Sequence, residues 1–422
     1  MGWGAYMKLR TVRDALLCLC LALAPGVSCG RPLPDIHPNG DGTRPPGGSS
    51  PLSIGAHCEL VKDGRPYRAV GVNYYDAFYR RLKNPKDRSY RAGLAQLSHA
   101  HIPFIRFELL PHWPNEIKYT ISHQDAFFRD FDDFIKDADR AGIGLVPSVF
   151  FNFGALPAAF GEPVSAWGDP HSQTVQFAKR FSTKLAARYR RSKTIWFWEF
   201  SNEINDWDDV PDAYHFYIAN PKLGTPETYT PKDTYTSKDM LSAYAMFSEA
   251  IHAGDPDRMV EAGYNIPRDN ASNRAAGRLD LDTMAQFSAI IARDNSVGQL
   301  TSVHVYPSSL EAGYSVRFKD RRVNPAQFVE VAAASAKAAC RPLFLGEFGP
   351  DTDDKYASPS AAFLDYQNIL DAFVASDGAL AAMWAFDLPF NDSTNSTFSN
   401  SRANRLQAVI AANKRLSLAG YQ

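Results

Sequence analysis

The stretch TIWFWEFSNEIND, Thr194 to Asp206, runs through seven residues rich in aromatic and β-branched side chains, then turns polar at Ser201, Asn202 and Glu203. A run this short and this apolar reads as a strand buried on both faces. Working outward, similar runs occur at RAVGV (Arg68 to Val72), IPFIRFE (Ile102 to Glu108) and IGLVPSVF (Ile143 to Phe150). Four more follow at RMVEAG (Arg258 to Gly263), LTSVHVY (Leu300 to Tyr306), PLFLGEF (Pro342 to Phe348) and LAAMWAF (Leu380 to Phe386). Helical segments lie between them. In Gln124 to Ala141, Phe127, Phe131, Phe134 and Ala138 recur at helix spacing while Asp130, Asp133 and Asp137 take other positions. In His171 to Arg190 the stripe is Phe177, Phe181 and Leu185. Strands alternating with helices predict an α/β fold with a parallel sheet, and the count of eight favours a closed (β/α)8 TIM barrel over an open doubly wound sheet. Ahead of the first barrel strand, Asp63-Gly64 in HCELVKDGRPYRAVG predicts a small β-hairpin that plugs the barrel floor.

The ends of the chain and its composition bound the setting. Lys8, Arg10 and Arg13 precede the apolar run Ala15 to Ala24, and Pro25, Gly26 and small residues follow, which is the pattern of an export signal over residues 1–29. Ten apolar residues fall short of the ~20 that a spanning helix needs, so no transmembrane span is expected. GVSCG around Cys29 resembles a lipoprotein signal, although Gly26 stands where leucine is usual. A lipid anchor at Cys29 and a freely secreted or periplasmic form are therefore both open. Residues 30–56, dense in Pro, Gly and Ser, read as a linker, and 57–422 as one catalytic barrel. Cys58 and Cys340 alone remain in the folded part, either as a disulfide or as free thiols. With 45 basic and 46 acidic side chains the formal charge is −1, which gives nucleic acid no reason to bind. Nothing calls for a partner chain, and a monomer is expected.

Barrels place their chemistry at the C-terminal ends of the strands. Two carboxylates qualify: Glu203, directly after Asn202 beyond the fourth run, and Glu347, ending the seventh run in LFLGEFG. A carboxylate beside so apolar a run must be paired, hydrogen-bonded or protonated. Two carboxyls across a cleft are the working parts of glycoside hydrolysis. With Asn202-Glu203 after strand four and Glu347 ending strand seven, the chain resembles the clan A glycoside hydrolases, most closely family 5, the cellulase and mannanase group. The resemblance spans His57 to the C-terminal helix and implies a retaining β-glycosidase that needs no cofactor or metal and takes a carbohydrate substrate. By it Glu203 would be the acid/base, Glu347 the nucleophile and Asn202 a donor to the sugar 2-hydroxyl. Arg106 in FIRFE matches the strand-two arginine beside the nucleophile, where a guanidinium favours the ionised carboxylate. His304 and Tyr306 in VHVYP match the strand-six pair, Tyr306 orienting Glu347 and His304 lying nearer the acid/base. Trp384 matches the strand-eight tryptophan under the reacting sugar.

Strand three departs from the family: GLVPSVFFNFG lacks the usual histidine and offers Asn152, which can hydrogen-bond a sugar hydroxyl but cannot share a proton with the acid/base. Further candidates for sugar contact are Asn73, Tyr74 and Tyr75 ending strand one, Trp113 in LPHWPNE, Trp167, and Trp207 close behind Glu203. Each is equally readable as loop packing. The long strand-four loop, Asn205 to Thr236, is expected to shape the cleft. Two rival readings are a catalytically inactive, surface-tethered carbohydrate-binding barrel and a metal-dependent hydrolase. The first has no use for a proton donor and a nucleophile; the second lacks strand-end histidine pairs.

Overall fold

A computed structural model describes residues 50–306, 316–350, 356 and 358–422. The expected signal, Cys29 and the first part of the expected linker lie outside the described residues. Three short antiparallel strands come first: β1 (Leu52–Ile54), β2 (Leu60–Lys62) and β3 (Arg65–Pro66). The hairpin turns at Asp63 and Gly64, whose φ angles of 50° and 80° are the positive pair that a two-residue turn of this hand requires. β1 falls within the stretch read as linker, so the folded body begins before His57. Leu52 is the reason: with Leu60 it packs onto Phe104, Trp196 and Phe344, closing the barrel floor.

The barrel strands are β4 (Ala69–Asn73), β5 (Phe104–Glu108), β6 (Gly144–Phe150), β7 (Trp198–Ser201), β8 (Val260–Glu261) and β9 (Thr301–Val305). After a two-stranded ribbon of β10 (Val316–Arg317) and β11 (Arg322–Val323) come β12 (Leu343–Phe348) and β13 (Leu380–Met383). The eight barrel strands are parallel neighbours in the order β8-β7-β6-β5-β4-β13-β12-β9. The seam between β8 and β9 is laced by Gln299, whose N–H donates to Val260 O at 3.1 Å and whose Oε1 accepts the Val260 N–H at 2.9 Å. Ile266 N–H donates across the same seam to His304 O at 3.3 Å. Every residue of these strands is buried, as a sheet covered on both sides requires.

The covering helices follow the sequence periodicity. Helix Gln124–Ala141 buries Phe127, Phe131, Phe134 and Ala138 and stops at Gly142, φ 68°. Asp137 differs from its fellow acids: it is buried and accepts from Tyr90 Oη and Arg91 Nε, each at 2.8 Å. Helix Gln173–Tyr189 is capped by the Ser172 side chain and buries Phe177, Phe181 and Leu185. The strand-four loop is a chain of short 3-10 turns. Asp233 ties it down twice, closing a capping box with Thr230 and accepting the Val164 N–H at 3.1 Å. Cys58 and Cys340 form a disulfide that joins the N-terminal hairpin to the segment leading into β12.

Candidate active site

Glu203 stands just beyond β7, with its N–H donating to Gly263 O at 2.7 Å. Its backbone is left-handed, φ 48° and ψ 33°, a conformation that a non-glycine residue keeps only when its surroundings enforce it. Glu347 lies within β12, where the register against β9 slips between Leu345 and Glu347. The extra residue, Gly346, sets Glu347 opposite His304 and aims it into the mouth. A side chain at 346 would collide with the imidazole, its Cβ 2.7 Å from His304 Nε2.

Arg106, wholly buried at the barrel centre, uses all five of its N–H groups. Nη1 donates to Glu347 Oε1 at 2.7 Å and to Asn73 Oδ1 at 2.9 Å. Nη2 donates to Asn202 Oδ1 at 2.7 Å, and Nε and Nη2 together grip Glu199, each at 2.5 Å. Tyr306 Oη donates to the other oxygen of Glu347, Oε2. His304 Nδ1 is 3.1 Å from Glu203 Oε1 and 3.8 Å from Glu347 Oε1. Its Nε2 is buried without a partner among the described residues, so the side-chain hydrogen bond of the imidazole there is the one from Nδ1 to Glu203. One oxygen of Glu203, one of Glu347 and one His304 nitrogen lie within 4.8 Å of one another. Three such donors could hold a metal ion, but the Arg106 guanidinium and the Tyr306 hydroxyl already occupy Glu347, and a fixed cation on that carboxylate repels a second one.

The sequence-selected residues divide into those that face the mouth and those that frame it. Glu203, Glu347, Asn202, His304 and Tyr306 converge on one point, with Arg106 beneath. Asn73 is frame: its Nδ2 donates to Gly346 O at 2.9 Å and Ala382 O at 3.1 Å while its Oδ1 takes Arg106, so all its polar atoms are spent on neighbouring strands. Trp384 is largely buried and meets Tyr75 edge-on at 5.7 Å; Phe151 and Phe390 extend this aromatic wall. Asn152 Nδ2 donates to His112 O at 2.9 Å, pinning the strand-two loop. Trp113 packs edge-on against His112, Trp167 donates Nε1 to Phe153 O at 2.8 Å, and Trp207 stacks on Phe216 beneath Arg268.

Several buried groups escaped the sequence reading. Glu108, His112 and Tyr75 form one cluster, with His112 Nδ1 3.0 Å from both Glu108 Oε1 and Tyr75 Oη. Burial pushes the Glu108 carboxyl above its usual range although His112 counters it. Glu199 and Glu261 sit side by side below the mouth. At Glu199 burial opposes ionisation, but the Arg106 guanidinium and a hydrogen bond with Glu261 outweigh it and hold the carboxyl low. At Glu261 burial, then the negative charge of Glu199, push the carboxyl well above the usual range. Each is a lone charge inside a run buried on both faces, WFWEF and RMVEAG.

The model of the family described as "Cellulase (glycosyl hydrolase family 5)" matches residues 70–387. The chain belongs to glycosyl hydrolase family 5. It is a glycosidase on that ground, with a carbohydrate as substrate. No match is found among curated proteins. Among solved structures, the endo-1,4-β-mannanase of Rhizomucor miehei is similar at 15% identity and a TM-score of 0.60, covering 85% of this chain and 98% of that one. The hyperthermostable endo-1,4-β-D-mannanase of Thermotoga petrophila, solved with maltose and glycerol, gives 15% and 0.57 over 83% of this chain and 100% of its own. A GH5_18 protein from Streptomyces cattleya, in complex with GlcNAc, gives 20% and 0.60 over 84% and 81%. At these identities the likeness establishes the barrel fold alone. No helix among the described residues is long and apolar enough to cross a membrane.

Proposed function

We propose that this protein is a retaining β-glycoside hydrolase acting on β-linked polysaccharide or oligosaccharide of the mannan or glucan type. Glu347 attacks the anomeric carbon while Glu203, protonated, gives its proton to the departing glycosidic oxygen. The glycosyl group is then esterified to Glu347. Glu203, now a carboxylate, takes a proton from water, whose oxygen displaces Glu347 from the anomeric carbon and restores both groups. Arg106 and Tyr306 orient Glu347, and His304 orients Glu203.

The observation that carries this reading is the approach of Glu203 and Glu347, one oxygen of each within 4.8 Å. That approach suits the about 5–5.5 Å between carboxyls of a retaining enzyme better than the about 6.5–9.5 Å of an inverting pair. Mannan is named beside glucan because endo-1,4-β-mannanases are among the similar folds. Export rests on the basic-then-apolar N-terminus and agrees with the disulfide, which forms in oxidising compartments. A lipid anchor at Cys29 remains the alternative to free secretion.

Hydrolysis of mannan, β-glucan and xylan, followed by proton NMR of the first-formed sugar, tests the proposal. We expect a β-anomeric product and a loss of at least about a thousandfold in kcat for Glu347→Gln with an unchanged circular dichroism spectrum. An α-product would overturn the double displacement. Sugar binding without turnover by the wild type would favour the inactive binding barrel.

A further inference from the structure

Two carboxyls lie one layer beneath the proposed catalytic pair. Glu199 and Glu261 are registered neighbours on β7 and β8, both closed to solvent, with side chains in hydrogen-bonding reach of each other. Among the described residues one cation is hydrogen-bonded to the pair, and it is committed to one member: Arg106 grips both oxygens of Glu199. Glu261 Oε2 accepts the Gly263 N–H at 2.6 Å, whereas its Oε1 is buried without a donor. The titratable groups facing the pair are Arg106 on β5, His304 on β9, Tyr244 on helix Ser237–Gly254 and Tyr264 just past β8; Glu347 on β12 is reached through Arg106. Two ionised carboxylates side by side in a dry site repel strongly, and a single guanidinium already shared with Glu347 does not offset both. A proton on Glu261 Oε1, donated to Glu199, removes the repulsion and satisfies the orphan oxygen.

We propose that Glu199 and Glu261 form a proton-sharing carboxyl pair, with the proton on Glu261, that positions both catalytic glutamates and sets how much of the Arg106 charge reaches Glu347. The pair touches both arms of the site. Glu199 fixes one edge of Arg106, whose other donors hold Glu347 and Asn202. Glu261 holds the Gly263 N–H, and Gly263 O accepts the Glu203 N–H. The Glu199 charge also offsets part of the guanidinium charge beside Glu347. Both residues are positioning residues, since neither reaches the mouth.

The kinetic role assigned to the pair rests on the reading of Glu347 as nucleophile; the location of the proton does not. The first test is therefore thermodynamic: stability of wild type and Glu261→Gln is measured by denaturant unfolding from pH 5 to 8. Folded wild type keeps the Glu261 proton, whereas the unfolded chain releases it above the usual glutamate range near 4.5. Wild type should lose about tenfold in its folding constant per pH unit relative to the variant. Parallel curves would place an ionised carboxylate at 261 and overturn the proposal. If Glu261→Gln does not fold, Glu261→Met carries the same comparison. The second test is kinetic. Glu199→Gln removes the carboxylate that anchors one edge of Arg106, so kcat should fall at least about tenfold with KM within about threefold, and Glu199→Asp should recover part of the lost kcat. A kcat within about twofold of wild type, or a loss carried by KM instead, overturns the positioning role. Absence of hydrolysis by the wild type would instead fail the proposed function and leave the stability comparison decisive for the proton.

Discussion

Glu203 keeps its left-handed backbone because Gly263 lies beside it. Gly263 has φ 74°, and a Cβ there would come within 2.9 Å of Glu199 Oε1, besides striking Ser201 O at 1.8 Å. Gly263→Ala must therefore move β7 or the residue itself, at a cost of at least about 2 kcal/mol. The same displacement carries the Gly263 carbonyl away from the Glu203 N–H. We expect a lower melting temperature together with a kcat reduced at least about tenfold; a variant with wild-type kcat would show that Gly263 does not position Glu203. At this scale the sequence was legible where polarity broke an apolar run: Asn202, Glu203 and Glu347 stood out for that reason. Glu199 and Glu261 did not, because an apolar pattern absorbs a single buried charge, and only the side chain opposite explains its presence. Asn73 stood out as polar at a strand end, yet its contacts are all with neighbouring strands, a distinction that needs coordinates.

The elements were legible in proportion to the length of their apolar signal. All eight barrel runs are strands within a few residues of their expected limits, and helix Gln124–Ala141 has the limits its phenylalanine spacing implied. Shorter features were hidden. β1 has three residues in a stretch rich in Pro, Gly and Ser, and only burial of Leu52 against the floor distinguishes it from linker. The slip in β12 that turns Glu347 toward His304 leaves no mark in the sequence beyond Gly346 itself. Pairing of the cysteines was likewise undecidable, since the hairpin and the approach to β12 come together only in the closed barrel. The disulfide closes a loop spanning 282 residues, so it removes much freedom from the unfolded chain. Cys58→Ser should lower stability by roughly 2–5 kcal/mol while leaving kcat at 25 °C within about twofold, because the bond lies at the floor, away from the mouth. A thermal melt and a rate measurement check both statements; an unchanged melting temperature under oxidising conditions would show that the disulfide adds nothing.

At the scale of the whole molecule, function depends on closing the sheet. Glu203 follows β7 and Glu347 lies in β12, on opposite sides of the seam that Gln299 laces between β8 and β9. In an open doubly wound sheet these strands would be far apart; in the barrel their glutamates approach across one mouth, with Arg106 rising from β5 to hold Glu347. The count of eight runs made that closure legible, and the family match over residues 70–387 agrees with it. The loops beyond the strands name no sugar, because substrate choice is set by side chains from several segments whose juxtaposition a linear pattern does not encode. The proposed mechanism has one intermediate that no binding barrel and no inverting enzyme forms, an ester between the sugar and Glu347. Mass spectrometry after incubation with an activated 2-deoxy-2-fluoro-β-glycoside should show one fluoroglycosyl group added to the protein, on the peptide carrying Glu347. Label on another residue, or an unlabelled protein that still hydrolyses its glycan to an α-product, would contradict the account.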